Sequence, residues 1–141
     1  REAILVSQHD SVESVLRRLR ESRLGCAFVV DEHKRPIGAF SEGVVARALR
    51  ERSLRMDAPV FEYLEERWAS VQISDPILAV LDAMVSRRVR FVCVLDEDGR
   101  VVGLTGQKGL MEYMAEYFPT ETQQIIHRVG ADEFAHQREG A

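Results

Sequence analysis

The feature that most constrains this chain is an internal repeat. When the sequence is shifted so that Asp31 lies over Asp96, many identical residues align without a gap. The aligned pairs include Val6 with Val71, Asp10 with Asp75, Val29 with Val94 and Gly38 with Gly103. A repeat of this length predicts two copies of one structural unit, each too small to bury both faces of a sheet alone.

The first helix of each copy is predicted from apolar residues at helical spacing. These residues are Val12, Val15, Leu16 and Leu19 in one copy and Ile77, Val80, Leu81 and Met84 in the other. Asp10 and Asp75 precede them, and an aspartate side chain can accept a hydrogen bond from a free backbone N–H of the first helical turn. We therefore expect Asp10 and Asp75 to be the N-caps of the two helices.

Strands and a second helix complete each copy. Apolar runs of strand length occupy residues 26–30 and 91–95, and each is followed by a polar turn, a second short strand and a helix that starts near Glu42 or Gln107. Leading strands at residues 3–7 and 70–73 make each copy β-α-β-β-α. The predicted fold class is α/β (α+β), with the two repeats packed sheet to sheet in pseudo-two-fold symmetry.

This pattern also predicts the division of the chain. Residues 1–53 form the first copy, 54–67 a linker, 68–117 the second copy and 118–141 a tail that contains a short helix. The apolar residues of that tail helix, Ile125, Ile126 and Val129, share one face.

Composition excludes several classes of function. The chain is 45% hydrophobic and 30% charged, as expected of a folded protein, and its net charge of −4 provides no general attraction for nucleic acid. No apolar run approaches the length of a membrane-spanning helix and no leader pattern opens the chain, so we expect no membrane association and a cytoplasmic location. Cys26 and Cys93 lie within apolar strands and should be buried, and the four histidines are scattered, so no metal site is predicted.

No enzyme chemistry is predicted either. The acidic residues lie in turns or on helix faces that we expect to be solvated, and Glu65 and Glu66 are counted among the latter. No spacing directs two carboxylates into one cleft.

Two stretches carry a family resemblance. Residues 25–45, GCAFVVDEHKRPIGAFSEGVV, and residues 89–110, VRFVCVLDEDGRVVGLTGQKGL, resemble the core of cystathionine-β-synthase (CBS) domains. Both have an apolar strand that ends in aspartate, a polar turn and then a glycine before the last helix. The resemblance implies a CBS pair, or Bateman module, which is usually regulatory, binds AMP, ADP, ATP or S-adenosylmethionine, and often forms a homodimer.

In that family the turn before the last helix contacts the ligand. The resemblance implies that a Ser or Thr three residues after the glycine contacts phosphate or ribose, and that an Asp three residues further accepts from the ribose hydroxyls. The first copy has Ser41 but carries Val44 at the acid position. The second copy has Gly106 and Gly109 at these positions, with Thr105 one place early. Gly106 could allow close backbone approach to a phosphate, and Lys108 could add a positive charge.

Further site residues follow from the same resemblance. It places Gly25 and Arg90 against the central cleft, and Arg90 is the residue chosen for an anion contact. On the base side it implies Ala3, Ile4 and Leu24 in one cleft, and Ala69, Val89 and, as an alternative to a core role, Trp68 in the other. The sequence by itself favours a core role for Trp68 and Phe61, because large aromatic side chains usually anchor cores.

Two functions remain open from the sequence. One is a ligand-sensing CBS pair that binds an adenine-containing nucleotide or related anion and regulates a protein partner that the sequence does not identify. The alternative is a degenerate pair that serves dimerisation or docking without a ligand. A homodimer is expected in either case, because the outer helix faces offer a large apolar surface, namely Val45, Leu49, Met111, Tyr113, Met114 and Tyr117, and the tail should contribute to it.

Overall fold

The computed structural model describes residues 2–117, so the predicted tail helix and its residues Ile125, Ile126 and Val129 lie outside the described residues. The chain divides into two compact units, residues 1–106 and residues 107–141. The elements of the first unit are β1 (Leu5–Ser7), α1 (Val12–Ser22), β2 (Cys26–Val30), β3 (Pro36–Ser41), α2 (Glu42–Arg50), a 3₁₀ helix (Val60–Tyr63), β4 (Ala69–Gln72), α3 (Ile77–Arg87), β5 (Phe91–Leu95) and β6 (Val101–Gly106). The described part of the second unit is α4 (Gln107–Tyr117). The predicted order of two β-α-β-β-α copies is confirmed.

Each copy contributes one three-stranded sheet. In the first, β2 is central, parallel to β1 and antiparallel to β3, and in the second β5 is central between β4 and β6 in the same way. Even the register repeats, since Val29 lies opposite Gly38 and Val94 lies opposite Gly103. The sequence repeat is therefore also a repeat of hydrogen bonding.

The helix starts differ from the predicted N-caps. Ser11 caps α1 by accepting from the backbone N–H of Ser14, while the Asp10 carboxylate accepts from the backbone N–H of Ser7 at 3.0 Å. Asp75 likewise accepts from the N–H of Gln72 at 2.9 Å, and Pro76 takes the N-cap position of α3. Both aspartates were wrongly assigned as N-caps, because each carboxylate accepts instead from the backbone N–H three residues earlier and closes the turn after its leading strand.

The turns between the central and last strands contain the same aspartate hydrogen bonds in both copies. Asp31 accepts from the N–H groups of His33 and Arg35 at 2.8 and 2.9 Å, and Asp96 accepts from those of Asp98 and Arg100, both at 2.9 Å. The bond from the Arg35 backbone is the main reason that the pKa of Asp31 is lowered, and the bond from the Arg100 backbone does the same for Asp96. Asp31 and Asp96 therefore stabilise the turns of the two hairpins.

The core confirms that the two sheets pack face to face. One cluster joins Cys26, Phe28 and Ala39 of the first sheet to Cys93, Val101 and Leu104 of the second. On the other side of each sheet lies a second layer, in which α1 and α2 cover the first sheet and α3 covers the second. Within residues 2–117 no helix is long and apolar enough to cross a membrane.

The linker is tied to the first copy along its length. The N–H of Val12 donates to the carbonyl of Ala58 at 2.9 Å, and the N–H of Val60 donates to that of Asp10 at 2.7 Å. Farther along, the N–H of Glu65 donates to the carbonyl of Ala39 at 2.7 Å. These hydrogen bonds fix the path of the linker on the first copy and place Glu65 beside β3.

The two aromatic side chains that the sequence assigned to the core, Phe61 and Trp68, differ in burial. Phe61 is 56% exposed, so the prediction that it anchors the core is wrong. The 3₁₀ turn buries the adjacent Val60 completely, and this turns the Phe61 ring outward. Trp68 is partly buried and packs against the cluster between the sheets.

Candidate ligand-binding cleft

A cavity of about 630 Å³ lies where the linker passes between the two copies. Its walls come from β2, β3 and the first turns of α2, from residues 65–68, where the linker meets the second copy, and from residues 88–91, which lead into β5. Sites for small ligands have volumes of this order and combine an apolar wall with a few placed polar groups. The apolar wall here includes Phe28, Ala39, Trp68, Val89 and Phe91.

Four arginines surround this cavity, Arg47, Arg67, Arg88 and Arg90. Within residues 2–117, none of their guanidinium groups makes a hydrogen bond or ion pair. Four unpaired cations around one cavity are unexpected in a chain of net charge −4. They can bind an anion with fixed, forked donors, since guanidinium groups match phosphate and carboxylate geometry.

A carboxylate occupies the side of the cavity formed by α2. Ser41 is the N-cap residue of α2, but its side chain makes no capping bond and its hydroxyl donates instead to Oε1 of Glu65. The same Oε1 lies against Gly43, where a Cβ would be 3.4 Å from it. Glu65 thus sits at the N-terminus of α2, where the helix dipole favours negative charge. The expectation of a solvated helix face for Glu65 is wrong, because the bond to Ala39 draws this extended segment onto β3.

The structure brings four of the predicted site residues to this cavity: Gly25, Ser41, Val89 and Arg90. Trp68, predicted for the base side only as a second possibility, lies there too. The Gly25 carbonyl accepts from the N–H of Glu42 at 3.1 Å, which holds the end of β3 against the start of β2. Arg90 is exposed and has no acidic partner among the described residues.

The other predicted residues lie elsewhere. Ile4 and Ala69 are buried in the clusters under the helices, Ala3 and Leu24 are partly buried against core clusters, and Thr105 pairs with Val92 inside the second sheet. Lys108 is an exposed residue of α4. Val44, at the position of the family's acid, is only 2% exposed and belongs to the core between α1, α2 and the first sheet.

Gly106 has a packing role that the sequence did not suggest. A Cβ at this position would lie 2.6 Å from the carbonyl oxygen of Arg90. Gly106 aligns with Ser41 of the first copy, so the second copy has no room for the equivalent hydroxyl. The two copies therefore differ at this position: the first has the Ser41 hydroxyl before its last helix, and the second has no side chain there.

Several cavity residues were not predicted, above all Glu42, Glu65 and the arginines other than Arg90. The resemblance did imply the segment before each leading strand, and extending it back from Trp68 would have reached Glu65. Nothing in the sequence pattern indicates that a linker glutamate bonds to a serine 24 positions earlier.

The cysteines are buried, as predicted. Burial is the main cause that raises the pKa of Cys26 to about 12, and it also raises the pKa of Cys93 to about 12. Both thiols are therefore protonated at neutral pH and contribute to packing between the sheets. Among residues 2–117, no three histidine, cysteine or acidic side chains converge in a way that could hold a metal ion.

Comparison with known proteins defines the class. The sequence profile of the CBS domain matches residues 1–51 and again residues 56–116. The chain belongs to the CBS-domain family and carries a tandem pair. No curated protein matches the sequence significantly.

Solved structures show the same fold at low identity. Staphylococcus aureus OpuCA is 19% identical with a TM-score of 0.66, and the match covers 84% of this chain and 97% of that one. PAE2072 from Pyrobaculum aerophilum, complexed with AMP, is 22% identical with a TM-score of 0.69, over 82% and 93%. The CBS pair of MJ0100, in complex with 5'-methylthioadenosine and S-adenosyl-L-methionine, is 19% identical with a TM-score of 0.72, over 83% and 91%.

Proposed function

We propose that this chain is a non-catalytic, regulatory CBS-pair module that binds an adenine-containing anion in the cleft described above. One observation carries the proposal: four arginines that have no partner among residues 2–117 meet an apolar and aromatic wall around one cavity. The aromatic side chains offer stacking surface to a base, and the guanidinium groups offer donors to a phosphate. The adenosyl ligands of PAE2072 and MJ0100 support the choice of ligand class.

A second function is favoured by a different observation. Val44 is buried in the core and Gly109 has no side chain, so neither copy presents the family's acid. A pair that had lost its ligand would act as a structural module for dimerisation or partner docking. Ligand binding decides between the two functions.

The test is a thermal-shift series with AMP, ADP, ATP, S-adenosylmethionine and related ligands at up to millimolar concentration. A ligand that binds only the folded state should raise the melting temperature. Arg90→Ala should weaken binding of the best nucleotide by about 10-fold to 150-fold, the equivalent of one charge-assisted hydrogen bond, and leave the melting temperature of the free protein unchanged.

Arg20→Ala is the matched control, because Arg20 is exposed on α1 and lies outside the cavity. It should bind as the parent does. No shift with any of the ligands would contradict the ligand-sensing function and leave the structural module. Equal losses in both arginine variants would show that Arg90 acts only through net charge.

We further propose that the chain forms a homodimer that includes the apolar surface of α2. Leu49 is 61% exposed on this helix, and Val45 beside it is half-buried. Pairing about a two-fold axis needs only one self-complementary patch. The side chains of Met114 and Tyr117 and the tail, predicted to contribute, lie outside the described residues. The regulated partner and the cytoplasmic location also remain predictions.

Sedimentation at micromolar concentration tests the dimer. The parent chain should sediment as a dimer, and Leu49→Glu should shift it toward monomer because a charge would be buried in the interface. Ile73→Glu is the control, since Ile73 is 65% exposed in the turn after β4, in the second copy. A monomeric parent chain contradicts the proposal.

A further inference from the structure

We infer that Glu65 is the hydroxyl acceptor of the cleft and makes it select ligands that carry a vicinal diol, such as a ribose. This inference rests on the proposed function, since it names the part of the ligand that one wall of the same cavity recognises.

The position of Glu65 is fixed from three sides. Its backbone N–H donates to the carbonyl of Ala39 at 2.7 Å, and the preceding Leu64 covers Gly38, where a Cβ would lie 2.9 Å from Leu64 Cδ1. Its side chain accepts the Ser41 hydroxyl. A group held in this way loses little conformational entropy when a ligand binds.

The carboxylate has unused hydrogen-bonding capacity. An ionised carboxylate only accepts, and its two oxygens together offer about four lone-pair sites. Oε1 takes the Ser41 hydroxyl, and Oε2 makes no hydrogen bond with any described residue. No buried polar side-chain atom in the described residues is without a partner, so Oε2 is open to solvent. Two adjacent hydroxyl groups of a ligand are the donors that fit these remaining sites.

The same arrangement argues against a phosphate on this side of the cavity. The Ser41 hydroxyl and the N-terminus of α2 would suit an anion, but the Glu65 carboxylate already uses them. A second anion on the same donors would be repelled at short range. We therefore expect a phosphate to bind the four arginines and the diol to bind Glu65.

The neighbouring glutamates do not share these properties. Glu66 lines the cavity but is exposed, and it makes no hydrogen bond or ion pair within residues 2–117. Glu42 is also exposed, and only its backbone is tied down, by the Gly25 carbonyl. Glu66 is thus a matched control for Glu65 in charge, size and sequence position.

The experiment measures binding of AMP and of 2',3'-dideoxy-AMP to the parent chain, Glu65→Gln and Glu66→Gln by calorimetry. The parent should prefer AMP by about 10-fold or more, as expected of hydrogen bonds to a charged acceptor. Glu65→Gln should bind the two nucleotides within about twofold of each other, because the amide is uncharged, its NH2 group only donates, and its one acceptor oxygen is shared with Ser41. Glu66→Gln should keep the parent's preference.

The outcomes separate this inference from the proposed function. If the parent binds both nucleotides equally, the role of Glu65 is overturned while the proposed function stands. If Glu65→Gln binds AMP more tightly than the parent does, the carboxylate excludes anions and accepts no diol, which also overturns it. If neither nucleotide binds the parent, the role of Glu65 is overturned, and the thermal-shift series with the other ligands decides the proposed function. The parent's comparison of the two nucleotides needs no variant, so equal binding would overturn the inference even if Glu65→Gln folds poorly.

Discussion

Phe28→Ala is expected to lower the free energy of unfolding by about 3–5 kcal/mol. Phe28 is 1% exposed in the cluster that joins the two sheets, and truncation there leaves a cavity between faces that rigid hydrogen-bonded strands keep apart. Domains of this size are stable by about 5–15 kcal/mol, so the variant should lose a large part of its stability. Urea unfolding followed by circular dichroism measures the change.

Phe61→Ala is the matched control for this prediction. The same side chain is removed, but at a site that is 56% exposed on the linker, and the expected change is within about 0.5 kcal/mol. Similar losses in the two variants would mean that the sheets are not packed through Phe28.

Gly106→Ala is expected to destabilise the protein by about 3 kcal/mol, at the upper end of overpacking effects. The added Cβ would lie 2.6 Å from the Arg90 carbonyl, a backbone atom that cannot rotate away, so the end of the β5–β6 ladder must shift. The smaller entropy of an unfolded chain with alanine returns only about 0.4–1 kcal/mol. Denaturant unfolding of the variant gives the net effect.

Gly38→Ala provides the comparison, since a Cβ there meets Leu64 Cδ1 at 2.9 Å. A leucine side chain can change rotamer, so this variant should lose less stability than Gly106→Ala does. The opposite order would show that the linker is less adaptable than the strand ends. Alanine adds only a Cβ, which every larger side chain also has. If Gly106→Ala loses stability, a serine equivalent to Ser41 would be excluded from the second copy for the same reason.

The elements followed closely from the sequence. Strands were predicted at residues 26–30 and 91–95 and helix starts near Glu42 and Gln107, and the structure has them there. These elements could be predicted because the spacing of apolar residues depends only on neighbouring positions in the sequence. The N-caps were misplaced because Asp10 and Asp75 had nearer backbone donors in their own turns, a competition between adjacent groups that spacing does not resolve.

The sequence by itself determined the duplication, the β-α-β-β-α order and the family, because these depend on short-range pattern and on its repetition. It also indicated Gly25, Ser41, Val89 and Arg90, which the structure places around one cavity. Only the tertiary structure decided that Glu65 meets Ser41 and that Gly106 faces the Arg90 carbonyl. The first depends on a contact between segments distant in the chain, since the linker's path to Ala39 has no periodicity from which it could be predicted. The second depends on the register in which β5 pairs with β6.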